Sequence, residues 1–147
     1  VSNQVVYSIL NRKIESNGIM ETARELNITI IAYSPLAQGL VSGKFHEDRE
    51  LIQKRVGSRK HMNKFKKEGL LKSQPVIDTL KLIAEEYNAT SSQVALNWLV
   101  NFHGDMVVAI PGATKIRQAE ENTGAMNFTL SKEHLDLLDK VSASYTL

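Results

Sequence analysis

Thr29-Ile30-Ile31-Ala32-Tyr33-Ser34-Pro35-Leu36-Ala37-Gln38-Gly39-Leu40 is the stretch whose reading decides the fold. Its β-branched and apolar start predicts a buried strand from about Thr29 to Tyr33. It then breaks at once into Ser, Pro and Gly, the residues of a loop leaving a strand's carboxyl end. The same pattern recurs in Met106-Val107-Val108-Ala109-Ile110-Pro111-Gly112-Ala113-Thr114-Lys115, running on to Glu121-Asn122. Upstream, Asn3 to Tyr7 is a further strand-like run. Between it and Thr29, the segment Asn11 to Leu26 places Ile19, Met20, Ala23 and Leu26 on one helical face, with Asn27 as a stop. Strand, helix and strand with short connections are the mark of a parallel sheet. Ligands of such sheets sit at the strands' carboxyl ends. The content of these two loops points to a phosphate-bearing cofactor.

The rest of the chain continues the α/β pattern. Gln38 to Ser73 is a long, charged insertion with sparse apolar residues and predicted helix near Arg49 to Lys54 and Asn63 to Lys67. Pro75 is read as opening an amphipathic helix, since a first turn tolerates proline. Its expected buried stripe is Val76, Ile77, Leu80, Ile83, Ala84 and Tyr87. Thr90 or Ser91 is expected to cap the next helix, in which Val94, Ala95, Trp98 and Leu99 recur at helical spacing. Gly104-Asp105 turns into the strand Met106 to Ile110, and a short helix is predicted from Lys115 to Asn122. Ser131 caps a last helix with Leu135, Leu138 and Val141 inward.

The 147 residues are 42% hydrophobic and 23% charged, an ordinary globular composition that can bury a core. A net charge of +2 argues neither for nor against nucleic acid, and no nucleic-acid partner is expected. With no cysteine, disulfide frameworks and thiolate metal sites are excluded. His46, His61, His103 and His134 are scattered without metal-ligand spacing, so no metal is expected. No Ser-His-Asp set and no carboxylate pair offers a nucleophilic or acid–base argument. No signal peptide and no membrane-spanning run stands out, so a cytoplasmic location is expected. The sequons at Asn27, Asn88 and Asn127 are then chance matches.

Both loop signatures, together with Asn3-Gln4-Val5-Val6-Tyr7-Ser8-Ile9-Leu10-Asn11-Arg12, closely resemble the C-terminal half of the aldo-keto reductases. Order and spacing agree along essentially the whole chain. The family fold is a (β/α)8 barrel of roughly 250 or more residues. The resemblance therefore implies a partial (β/α)8 barrel: the last three β/α units plus a C-terminal helix, with residues 1–147 forming one C-terminal fragment. The family's catalytic Asp, Tyr, Lys and His lie in earlier strands, and no catalytic residue is expected here.

The resemblance also implies roles. Tyr33 stacks on the nicotinamide and Gln4 holds its carboxamide. Ser34, Pro35, Leu36, Ala37, Gln38 and Gly39 line the pyrophosphate, and Lys44 takes a cofactor phosphate. Gly39-Leu40-Val41-Ser42-Gly43-Lys44 is not a P-loop, because three residues rather than four separate its glycines and Phe45 replaces the Ser or Thr. Gly112 keeps the second loop open, while Thr114 and Lys115 supply a hydroxyl and a charge for an adenosine 2′-phosphate. Gln118, Glu121 and Asn122 share a helical face, with Glu121 and Asn122 reaching the adenine. Many members carry Lys at the position of Gly112 and Arg at that of Gln118. Here the Arg is one place earlier, at Arg117, and the Gly and Gln form is that of the branch with the potassium-channel β subunits and many bacterial reductases. NADP is the expected cofactor and NAD the alternative.

From the residues alone, Tyr33 packing in a core, Lys44 solvated and an ordinary helix start at Lys115 stay open as plainer readings. Gln53 to Lys67 carries seven Lys or Arg and no acid, but its one aromatic is Phe65. A solvated or cofactor-covering loop suits it better than a nucleic-acid surface. The complete enzyme would act on a small carbonyl or alcohol. The chain by itself is expected to be inactive, and to self-associate or pair with an N-terminal half. A non-catalytic NADP-binding module and a functionless fragment are the alternatives.

Overall fold

The computed structural model describes residues 1–54 and 57–145. Three strands, β1 (Ser2–Val6), β2 (Thr29–Tyr33) and β3 (Val107–Ile110), form one parallel sheet in the order β1-β2-β3. Helix α1 (Ile19–Glu25) joins β1 to β2 after a 3-10 turn at Lys13–Glu15. The long connection from β2 to β3 holds α2 (Lys44–Glu47), α3 (Glu50–Gln53), α4 (Lys67–Glu86) and α5 (Ser91–Asn101). Beyond β3 come α6 (Ile116–Gly124) and α7 (Lys132–Ala143). Arg55 and Val56 of the basic stretch lie outside the described residues.

The register decides which strand residues are covered. Asn3 pairs with Ile30 and Ile30 with Val107, so these share one face, as do Val5, Ala32 and Ala109. That face meets the helices: Ile30 and Ala32 are wholly buried, in one cluster with Ile77, Leu80, Trp98 and Leu99. Gln4, Val6, Ile31, Tyr33, Val108 and Ile110 fall on the other face, where Tyr33, Val108 and Ile110 are 43%, 46% and 47% exposed. The chain's own helices cover one face and leave the other open.

Three local readings also change. Leu26 is the C-cap of α1 and 64% exposed, one place past the face that buries Met20 and Ala23. The long helix begins at Lys67, and Pro75 lies inside it, in the third turn. Pro75 is exposed, so the carbonyl it leaves unpaired lies on the solvent side. The insertion does not float: Leu40, Val41, Phe45, Ile52, Phe65 and Leu70 are all buried, and the Phe45 and Phe65 rings meet edge to face at 5.3 Å. Thr90 caps α5 with a reciprocal Gln93 bond, and Ser131 caps α7.

The insertion closes on α4 through Gly69. A Cβ there would lie 2.3 Å from the Asn63 carbonyl oxygen and 2.6 Å from Lys64 Cα. Gly69→Ala should therefore cost about 1–3 kcal/mol, as overpacking does. A lower urea midpoint at unchanged slope is the expected reading; an unchanged midpoint would contradict the close approach.

Arg12 ties α7 to the segment after β1. It reaches Glu15, the Asp139 carboxylate and carbonyl, and the Ser142 hydroxyl, with its guanidinium 5.1 Å from the Trp98 ring. Burial alone would raise the Glu15 carboxyl, but hydrogen bonds from His103, Arg12 and Tyr7 outweigh it and bring it down to about 2. A depressed carboxyl stabilises the fold above its ordinary value of 4.5, and that stability is lost as pH falls toward 2. Glu15→Gln should flatten the fall in melting temperature across that window. Parallel pH profiles for the two proteins would remove Glu15 from the account.

Candidate functional site

The loop after β2 holds an unusual backbone. Ser34, Ala37, Gln38 and Gly39 all have positive φ, at 57°, 49°, 62° and 85°. Non-glycine residues enter this region only when surrounding structure holds them there, and such strain collects at ligand sites. Here Ala37 N donates to Ser34 O at 2.9 Å, Gly39 N to Leu36 O at 2.8 Å, and Ser42 Oγ to Gly39 O at 2.7 Å. Buried Pro35, Ala37, Leu40 and Val41 anchor the loop from beneath. Pro35 and Ala37 can therefore offer a ligand little besides backbone. Lys44 folds back over Gly39: a Cβ on that glycine would lie 4.0 Å from Lys44 Nζ.

Facing this loop is the start of α6. Gln118 Oε1 accepts from Thr114 N at 2.8 Å and from Thr114 Oγ1 at 3.1 Å, which closes the first turn. Glu121 is held from α5. Thr90 Oγ1 donates to its carboxylate at 2.9 Å, and Gln93 Nε2 donates to its backbone carbonyl at 3.0 Å. The capping box of α5 thus also fixes α6. Gly124 permits the approach, because a Cβ there would meet Gln93 Nε2 at 2.4 Å.

Between the two walls lies a cleft of about 340 Å³. Leu36, Gly39, Ser42 and Lys44 form one side; Ser92, Gly112, Arg117, Gln118, Glu121 and Asn122 form the other. Seven of the residues singled out in the sequence meet here: Leu36, Gly39, Lys44, Gly112, Gln118, Glu121 and Asn122. Ser34 and Gln38 belong to the loop, and Thr114 and Lys115 precede α6, but none of the four lines the cleft. Gln4 and Tyr33 lie apart, on the open face of the sheet. Sequence reasoning missed Ser42, Ser92 and Arg117 as cleft residues. Arg117 carried a signal, since it stands one helical turn before Glu121, the spacing that had grouped Gln118 with Asn122.

The cleft sets two cations, Lys44 and Arg117, across from each other, with one carboxylate already held by Thr90. Glycine on both walls lets a ligand approach backbone. Glu121 and Asn122 offer an acceptor and an amide at one end. This donor set fits a phosphate-bearing nucleotide. Among the described residues no three His, Asp or Glu side chains gather as a metal site. No described helix is long and apolar enough to cross a membrane.

The aldo/keto reductase family pattern matches residues 1–143, and the chain belongs to that family. It is 34% identical over 137 residues to a probable pyridoxal reductase 2 of Schizosaccharomyces pombe, covering 92% of this chain and 41% of the relative. The glycerol dehydrogenase AKR11B4 of Gluconobacter oxydans superposes with a TM-score of 0.82 at 25% identity, over 99% of this chain and 43% of that one. An aldo-keto reductase of Klebsiella pneumoniae, solved in complex with NADPH, superposes with a TM-score of 0.66 at 25% identity, over 97% and 39%. The chain thus spans about two fifths of the length of the relatives it matches, and its fold is a part of their α/β barrel.

Proposed function

We propose that this chain is the cofactor-binding portion of an NADP-dependent aldo-keto reductase. The observation that carries this reading is the cleft where the strained loop after β2 and the start of α6 bring Lys44 and Arg117 face to face. The NADPH complex of the Klebsiella relative supports the choice of cofactor. When bound, the nicotinamide supplies or accepts the hydride. The chain's own part is binding and orientation. Lys44 neutralises phosphate charge beside Gly39, whose missing side chain leaves the backbone accessible. Glu121 and Asn122 hold the adenine end. Gln4 and Tyr33, on one sheet face in rows about 7 Å apart along the strands, receive the nicotinamide ring. A small carbonyl or alcohol would meet that ring over the open sheet face, with the general acid supplied from outside residues 1–147.

Among the described residues the sheet ends in two unpaired edges, each flanked by a groove. The one beside β3 holds about 530 Å³ and is lined by Leu96, Val100, Val107, Val108, Pro111 and Met126 among others. The one beside β1 holds about 290 Å³, with Ile19, Thr22, Ala23 and Ile28 on its wall. Both suit further β/α units, so an N-terminal half completing the barrel is the proposed partner.

Lys44→Ala tests the reading. It should weaken NADPH binding, followed by nucleotide fluorescence, by about tenfold, the worth of one charge-assisted contact. Equal affinity in the two proteins would remove Lys44 from the site.

A further inference from the structure

We propose that the basic insertion after β2 builds a second ligand site, distinct from the cofactor cleft, that takes a small phosphate ester. Arg49, Lys60, Lys66 and Lys67 converge on one cavity of about 340 Å³ beside the start of α4. None of the four lines the cofactor cleft, and none stands on a strand of the sheet.

The four cations come from three separate pieces of chain. Arg49 is the N-cap of α3, Lys60 lies in a 3-10 turn at Ser58–His61, and Lys66 and Lys67 open α4. Buried side chains fix these pieces. Ile52 anchors α3, Phe65 sits directly before Lys66, and Leu70 follows one turn later; all three are buried and form the cavity floor. A merely solvated set of lysines needs no such convergence, because like charges lower their repulsion by spreading apart.

No Asp or Glu lines the cavity. Arg49, Lys60, Lys66 and Lys67 form no ion pair among the described residues. Glu50 and Glu68 are the acids next to them in sequence, and both are exposed. The gathered charge is left without an internal counterion, and the concave shape focuses its field. The first turn of α4 has no side-chain cap, so its dipole adds to the same positive potential.

Charge and shape together name the ligand. A phosphate monoester carries close to two charges near neutral pH and three acceptor oxygens, which several cations can share. Arg49 can give it two parallel hydrogen bonds. A carboxylate brings a single charge and would leave more of the field unmet. The volume lies within the range of small-molecule sites, about 300–1,000 Å³, and the apolar floor suits a small organic body.

The test is an amide-resolved NMR titration of the full 147-residue chain with phenyl phosphate. Saturable shifts should appear at residues 49–53 and 60–70, and benzoate should bind about tenfold more weakly. Arg49→Gln with Lys66→Gln should weaken phenyl phosphate by about tenfold, the worth of two charge-assisted contacts at an exposed rim. Lys132→Gln with Lys140→Gln removes the same net charge on α7 and should leave the affinity unchanged. Equal losses in the two double variants would show a general attraction to basic surface and overturn the site. Shifts gathered at residues 34–44 and 112–122 would also overturn it. So would a short oligodeoxynucleotide that binds more tightly than phenyl phosphate, with shifts running beyond the cavity, since the insertion would then be a nucleic-acid surface. Absence of any saturable shift would overturn the site and leave the cofactor reading of the cleft standing.

Discussion

Purified chain, assayed at steady state with NADPH and a reactive aldehyde, should show no turnover. Reduction of a carbonyl needs a proton delivered as the hydride arrives, and loss of a positioned general acid alone costs about 10²–10⁴-fold. None of the tyrosines is placed for this. Tyr7 is wholly buried, and that burial together with its bond to Glu15 raises its hydroxyl far above the ordinary range. Burial pushes Tyr145 up to about 12. Tyr87 is engaged by His134 and by the Ser131 amide. Tyr33 is exposed on the sheet face, and among the described residues no ion pair or hydrogen bond links it to a lysine or histidine. Turnover that survives repurification and is abolished by heat would show that an acid has been overlooked.

The second large effect concerns association. The open sheet face presents Tyr33, Val108 and Ile110 at roughly half exposure, beside two strand edges that have no partner among the described residues. Parallel sheets are ordinarily covered on both faces, and free edges invite pairing. The chain should therefore sediment as species that grow with concentration, and should bind hydrophobic dyes. Tyr33→Lys with Val108→Lys should reduce both without unfolding the helical side, since neither residue belongs to the buried cluster. A single monomer at micromolar concentration, stable to dilution and silent to dyes, would show that the open face needs no cover.

The strands were legible because β-branched runs ended sharply at Pro and Gly: β2 was read to the residue, β1 and β3 to within one. Which face would be buried was not legible. Ile30 and Val108 look alike in composition, and only the pairing of Ile30 with Val107 puts them on opposite sides. Pro75 misled because proline marks a first turn more often than a third, and the insertion's scattered Phe45, Ile52 and Phe65 gave no periodic signal of docking. Loop chemistry revealed most of the cleft. Ser92 was hidden because it comes from the first turn of α5, and its place beside Glu121 depends on the Thr90 and Gln93 bonds that cross between helices. The left-handed conformations at Ser34, Ala37 and Gln38 were hidden too, because no glycine announces them.

The most direct test of the cofactor cleft is an amide-resolved NMR titration of the chain with NADPH. The account predicts saturable shifts confined to residues 34–44 and 112–122, with smaller ones at Gln4 and Tyr33; adenosine 2′,5′-bisphosphate, by displacing the dinucleotide, should return Gln4 and Tyr33 to their free positions while shifts at 112–122 persist. An unchanged spectrum, or shifts gathered instead at the crevice between Asn11 and Tyr145, would contradict it.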